Sequence, residues 1–325
     1  MRLIGLLLFG LAAALALSVV FGETSLTLAQ YVSGLQRPGS PEAEILWGIR
    51  APRASAAALT GAALGLAGAV MQGLLRNPLA EPGVLGVSAW SGCAAAIAIV
   101  AGLGAAPGAV EAAALGGALA AGGAVALLAA RFREPETLIL FGVALAALGG
   151  AMTALIFNLS PSPITLAQVL AWLQGSLANR DWSDSARALA PMALGAALCV
   201  YAAAGLRMLT LGEEAAALSG LPMARLRVAA VAGAALLTGA SVALAGVIGF
   251  VGLAAPHLVR GAASDDPARV LAPSAIAGAI LLVLADLLAR VIPSETELRL
   301  GVVTALFGAP LFALVAWRAA RSWRA

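Results

Sequence analysis

Lysine is absent from this 325-residue chain, and all 19 basic residues are arginine. A Walker A phosphate loop needs its lysine to reach the nucleotide phosphates. The chain therefore does not hydrolyse ATP through a P-loop of its own, and any ATP-driven work must come from a second polypeptide. There is one histidine, His257, and there are two cysteines, Cys93 and Cys199, each inside an apolar run. Metal sites are built from clusters of His, Cys, Asp or Glu, and no such cluster is visible, so neither a resident metal nor a naked transition-metal cargo is expected. The cysteines read as small buried hydrophobes rather than a disulfide. Charge is scarce, at 11% of residues with a net +3. The arginines stand singly at the ends of apolar runs, which is how membrane topology is set, and do not form the patch that nucleic acid requires. No catalytic constellation, internal repeat or soluble domain is apparent.

What fills the chain is apolar surface: 62% of residues are hydrophobic and the mean hydropathy is +0.98. Repeated apolar runs of about 20 residues identify an all-α, polytopic membrane protein with about ten transmembrane helices. The first run, residues 3–22, is long for a signal peptide and lacks an A-x-A-like site, so it is read as a span with a cytoplasmic N-terminus. Further spans are expected near 54–75, 84–103, 109–130, 138–157, 186–206, 228–245, 270–291 and 302–317. A turn and a short helix returning inward are expected over 246–260. Gly61, Gly65 and Gly68 should let another helix approach the second span closely. Residues 23–52 and 158–185 read as outer loops, with Trp172 and Trp182 at the interface. Twelve of the 19 arginines fall on the inner side in this arrangement and seven on the outer. That direction is right for the positive-inside rule, and the outer arginines form an excess that an acidic protein partner would explain.

Two places stand out. Residues 211–222, LGEEAAALSGLP, are too short to span a membrane. Glu213 and Glu214 oppose the helix dipole in a first turn, and Gly220 with Pro222 ends the helix. Flanking arginines put it in the cytoplasm. It reads as a short helix offered to a partner, or alternatively as a solvated loop with helix propensity. The second place is the ninth span, where Asp286 and Arg290 lie four apart and share a helix face. An ionisable pair at membrane depth points to function, with a self-satisfied pair near the outer surface as the bland alternative. Arg50 and Arg53, at the mouth of the second span, read as arginines snorkelling to headgroups unless a partner takes them.

Spaced blocks along the chain resemble the FecCD/BtuC-type permeases, the membrane subunits of ABC importers for iron chelates, haem and cobalamin. They are WGIRAPR at 47–53, AGAVMQGLLRNPLAEPGVLGVS at 67–88, WLQGSL at 172–177, LGEEAAALSGLP at 211–222, SVALAGVIGFVGLAAPHLVR at 241–260, and then LADLLAR and GVVTALFGAPLF. The resemblance implies a type II ABC importer fold, with residues 1–325 as a single transmembrane permease domain in the bacterial inner (plasma) membrane. It implies a second permease subunit, as a homodimer or with a sister chain, two ABC ATPase subunits that hold ATP and magnesium, a periplasmic substrate-binding protein, and a metal-chelate substrate. By the same resemblance Gly212, Glu213, Glu214, Leu218, Gly220, Leu221 and Pro222 belong to the ATPase-coupling segment. Asn77, Pro78 and Leu79, with Pro135, Glu136 and Thr137, match the turns of the cytoplasmic gate. Arg50, Arg53 and Arg290 match the outer arginines that receive acids of the binding protein. The chain departs from the family pattern at Arg299, where proline is usual, in the acidic gate loop REPET, and at Asp265-Asp266-Pro267. His257 matches the family's Pro-His and reads as structural. An ion-coupled secondary transporter, with Asp286 as its coupling residue, and a non-transporting scaffold are the competing readings.

Overall fold

The computed structural model describes residues 2–132, 135–160, 162–263, 266–292 and 297–322. Among them no strand occurs, and the regular elements are all helical. They are α1 (Arg2–Val20), α2 (Leu28–Gln36), α3 (Pro41–Ala43), a π-helical stretch Glu44–Arg50, α4 (Ala51–Leu75), a 3-10 turn Pro82–Leu85 and α5 (Val87–Val100). There follow α6 (Ala109–Arg131), α7 (Pro135–Asn158), α8 (Pro163–Leu173), α9 (Trp182–Leu209), α10 (Glu213–Leu218) and α11 (Met223–Ala245). The chain closes with α12 (Val251–Ala263), α13 (Pro267–Val291) and α14 (Leu300–Ser322). Seven helices, α1, α4, α6, α7, α9, α11 and α13, are long and apolar enough to cross a membrane. Shorter apolar helices are α5, α8 and Leu300–Pro310 of α14.

The centre of the bundle is α4, α11 and α13, whose residues are mostly buried, while α1 and α7 are nearly bare. Lipid is as apolar as leucine, so helices associate here through close packing rather than through a hydrophobic drive. Small residues supply that packing. A Cβ added to Gly61 or Gly65 of α4 would come within 2.2 Å of a carbonyl oxygen of α13, and one on Gly68 within 1.8 Å of the Gly252 oxygen on α12. The expected glycine stripe therefore has two partners, α13 for its first half and α12 for its second.

The α11–α12 junction, residues 246–250, is irregular backbone inside the bundle. Such backbone is tolerated at membrane depth only where protein or a water-filled cavity meets its polar groups. Here the Ala245 carbonyl accepts the Ser176 N–H at 2.9 Å. The Leu300 and Gly301 N–H groups donate to the Gly175 and Gln174 carbonyls, both at 3.0 Å. The WLQGSL block thus ties the end of α11 to the start of α14.

The structure corrects four expectations. Residues 23–52 are not a loop: Thr27 opens α2 with a capping box to Gln30, Ser40 caps α3, and the helix from Pro41 runs unbroken into α4. Residues 158–185 are not wholly an outer loop: Ser162 caps α8, and Leu177 is fully buried. Trp172 is half-buried against a small alanine-rich cluster, whereas Trp182 is exposed and donates to the Trp47 carbonyl at 3.1 Å. The third pass is only the 14 residues of α5, extended by the 3-10 turn before it.

Candidate functional site

At the outer end, α4, α13 and the connector after α13 bring four charges from distant parts of the sequence together. Arg53 Nε donates to both Asp286 oxygens, at 3.0 and 3.1 Å, and its Nη2 donates to Oδ1 at 2.8 Å. The other side of the same guanidinium meets Glu297, with Nη1 donating at 3.2 Å and Nη2 closer still. Arg290 Nε reaches Asp286 Oδ2 at 3.1 Å, the expected one-turn pair. Asp286 is 0% exposed, and among the described residues these two arginines are the cations paired with it.

Arg50 and Arg290 have a further task at the end of α1. The last carbonyls of a helix have no intrahelical donors, and leaving them bare in apolar surroundings is costly. Arg50 Nη1 donates to the Val19 and Val20 carbonyls at 3.1 and 2.6 Å, and its Nη2 to the Thr24 carbonyl. Arg290 Nη2 donates to Ser18 Oγ at 2.6 Å and to the Ser18 carbonyl at 3.2 Å. Cations at a helix C-terminus also complement its dipole. All three arginines are buried, so they do not snorkel to headgroups. They line a cavity of about 390 Å³ together with Glu23, Arg180, Asp181 and Glu297. A carboxylate from outside reaches them only by entering that cavity. Asp181 itself is held below the usual carboxylate range by the Ser183 hydroxyl and the Asp184 N–H, as it caps α9.

At the opposite end, residues 213–218 of the stretch 211–222 form the short helix α10. Gly212 precedes α10, and Glu213 and Glu214 occupy its first turn. The Leu221 N–H donates to the Ala216 carbonyl at 3.2 Å and the Gly220 N–H to the Ala217 carbonyl at 3.0 Å, which is a Schellman motif. The motif needs a left-handed residue, and Gly220 has φ +81°. Pro222 then opens α11. Ala216 is buried and anchors α10, while Leu218 is 90% exposed and Leu211 72%. α10 is thus pinned on one side by Ala216 and bare on the other at Leu218.

The residues expected at the gate lie at this same end. Arg76 ends α4 in a left-handed conformation, and Asn77 Oδ1 accepts the Leu79 N–H at 2.9 Å, which fixes the turn before exposed Pro78. Pro135, Glu136 and Thr137 are not a turn, as the resemblance implies, but the first turn of α7, where proline is suited to the first position. Arg133 and Glu134 of that loop, like Asp265, lie outside the described residues. The 76–86 connector meets α7 one turn further on, where a Cβ on Gly142 would come within 2.6 Å of the Val84 oxygen.

Above the connector a cavity of about 520 Å³ opens among α5, α7, α11 and the 246–250 junction, lined by Ser88, Gly92, Thr153, Thr238 and Gly249. Glu81 also lines it. Burial pushes its carboxyl above the usual range, opposed by the hydrogen bond it accepts from the Phe250 N–H. Sequence reasoning passed over Glu81, Glu297 and Arg227, which lie in connectors or at a helix start, where spacing gives no signal. Among the described residues no group of three or more His, Cys, Asp or Glu could hold a metal ion.

The comparisons with known proteins agree with one another. A family model described as the FecCD transport family matches residues 10–318. The chain is 40% identical over 315 residues to the vitamin B12 import system permease protein BtuC of Escherichia coli O157:H7, covering 95% of this chain and 92% of that one. It is 40% identical over 313 residues to the protein of the same description from Shigella flexneri, with the same coverage. Its fold is similar, with a TM-score of 0.85 and 29% identity over 97% of this chain and 98% of the other, to a solved structure described as an inward-facing conformation of a provisionally assigned metal-chelate type ABC transporter.

Proposed function

Because the chain belongs to the FecCD transport family, we propose that it is the transmembrane permease subunit of an ABC importer that moves a metal chelate (ferric siderophore, haem or cobalamin) inward across the bacterial inner membrane. The observation that carries this reading is the likeness to vitamin B12 import permeases along 95% of the chain. The protein is a multi-pass transporter subunit and not an enzyme. Its whole length acts as one permease domain, working beside a second copy of itself. Two separate ATPase subunits bind ATP and magnesium and dock on residues 211–222. A substrate-binding protein delivers the chelate to the outer end and places carboxylates near Arg50, Arg53 and Arg290. The turns at Asn77–Leu79 and the start of α7 at Pro135–Thr137 form the inner gate.

The geometry suits that cycle. Closure of the ATPases moves α10, and the bundle alternates between two packings around the path. The 520 Å³ cavity, walled mainly by glycines and apolar side chains with three hydroxyls and Glu81, fits the side of a path that holds a bulky chelate sterically rather than by ligation. The ion-coupled alternative needs an ionisable group exposed to ions at the midplane. Asp286, its candidate, is fully buried between two arginines at the outer end. The experiment is uptake into proteoliposomes holding the permease and its ATPase, with the binding protein added. Accumulation of one labelled chelate that requires ATP and all three proteins is expected. Uptake driven by a proton gradient without ATP would overturn the reading.

A further inference from the structure

Arg227 stands in the second turn of α11 and is only 5% exposed. Its Nη2 donates to Glu213 Oε2 at 2.8 Å, and its Nη1 donates to the Phe132 carbonyl at 3.0 Å. Glu213 is the first residue of α10, and Phe132 caps the C-terminus of α6, just before the chain enters α7. One buried guanidinium therefore joins three parts: the coupling helix, the core helix α11 and the segment that leads into the gate. The covalent chain already ties α10 to α9 and α11. The link to the α6–α7 segment is the one that crosses between elements far apart in sequence.

We infer that Arg227 is the positioning residue through which displacement of α10 reaches the start of α7. The inference rests on the reading of α10 as the ATPase dock and of residues 135–137 as part of the gate. Arginine suits the role because its planar fork fixes the direction of its donors, so two acceptors are held at a set separation. A lysine ammonium in the same place is a single point charge on a flexible stem and holds the two acceptors less rigidly. The Glu213 carboxylate also pairs with the buried guanidinium, so α10 cannot swing away without giving up a charge-assisted bond. The Phe132 carbonyl is among those at the end of α6 that lack an intrahelical donor, and Arg227 supplies one. A displacement of α10 that keeps both bonds therefore shifts Phe132 with it.

The test uses the whole complex of permease, ATPase and binding protein in proteoliposomes, reading chelate taken up per ATP hydrolysed. Arg227→Gln should lower that ratio by about tenfold, the scale of losing charge-assisted bonds, while ATP hydrolysis stays within about twofold. Arg227→Lys should fall between, and it carries the test if the glutamine variant does not assemble. The charge-swapped double variant, Glu213→Arg with Arg227→Glu, separates linkage from simple pairing. It restores an ion pair, but a glutamate cannot donate to the Phe132 carbonyl, so assembly should return without coupling. Spin labels on Glu214→Cys and Glu136→Cys give a second readout. Their separation from α11 should change together on addition of ATP and magnesium, and Arg227→Gln should abolish the change at 136 alone. A coupling ratio equal to wild type in both single variants, or full rescue by the swap, would overturn the inference while leaving the importer reading intact. A wild-type complex without ATP-driven uptake would overturn that reading, and the inference with it.

Discussion

Asp286 shows how far a single residue's role could be seen from the sequence. Its partnership with Arg290 follows from a spacing of four on a helix, and the structure has that pair at 3.1 Å. Its bond to Arg53 crosses 233 positions, and no local pattern encodes it. The same distance hid the use of Arg50 and Arg290 at the carbonyls of α1. Removing one partner of a buried ion pair costs about 3–5 kcal/mol, because the other charge is left uncompensated. Asp286→Ala should therefore markedly lower the thermal unfolding midpoint in detergent, and Arg53→Met with Asp286→Leu should recover only part of the loss, because Arg290 still lacks its acid. Equal midpoints for wild type and Asp286→Ala would mean that the pair does not hold the outer end together. Glu297 is different, being partly exposed and sharing Arg53 with any acid that enters the outer cavity. Exposed pairs are worth about 0.2–1 kcal/mol. Glu297→Gln should thus tighten association of the binding protein by about 2–5-fold at low salt, with the gain fading as salt rises. Unchanged association on immobilised transporter, at every salt concentration, would count against these arginines as the docking site.

Elements were legible where they were long and apolar. Each run of about 20 hydrophobic residues became a helix, because a chain in lipid must satisfy its backbone internally. The helices that escaped, α2, α3 with its π-helical continuation, and α8, are short and lie in polar stretches with proline and serine. Their capping residues Thr27, Ser40 and Ser162 were in plain view, but caps alone do not distinguish a helix from a turn. The gate segment 135–137 was misplaced for a related reason: proline there begins a helix instead of bending a loop. α10 was legible because acids, alanines and a terminal glycine all point to the same short helix. Leu218 on its bare face buries nothing in the permease, so changing it leaves the fold alone. Leu218→Glu should leave the thermal midpoint within about 1 °C of wild type, as surface substitutions do. It should abolish co-purification of the ATPase or uncouple its hydrolysis from uptake. Normal co-purification and uptake would exclude α10 as the dock. Gly220 is a less discriminating site, since any side chain there also strains the left-handed cap.

At the scale of the whole molecule, charge is pushed to the two ends and the interior is closed by alanine and glycine. Arg207 pairs with Asp266 and Arg227 with Glu213 at one end, while Arg180 pairs with Glu111 and Arg53 with Asp286 at the other. That division decides what the path could carry. A bare divalent or trivalent ion sheds its water only for close oxygen, nitrogen or sulfur ligands. The 520 Å³ cavity offers one carboxyl, Glu81, with scattered hydroxyls; neither cysteine nor the histidine lines it. Burial favours the neutral form of that carboxyl, which weakens it as a ligand for a cation. A preassembled chelate brings its metal already coordinated, so the path need supply only shape and a few hydrogen bonds. Reconstituted transporter should therefore take up intact chelate and exclude the free ion. The measurement is ATP-dependent accumulation of radiolabelled free iron or cobalt beside ferric siderophore, haem and cobalamin, with a large excess of unlabelled free ion as competitor. One chelate should accumulate, the free ions should stay at the background of ATP-free vesicles, and the competitor should not slow the chelate. Accumulation of the free ion with none of the chelates would show that ligands for a bare cation exist along the path after all.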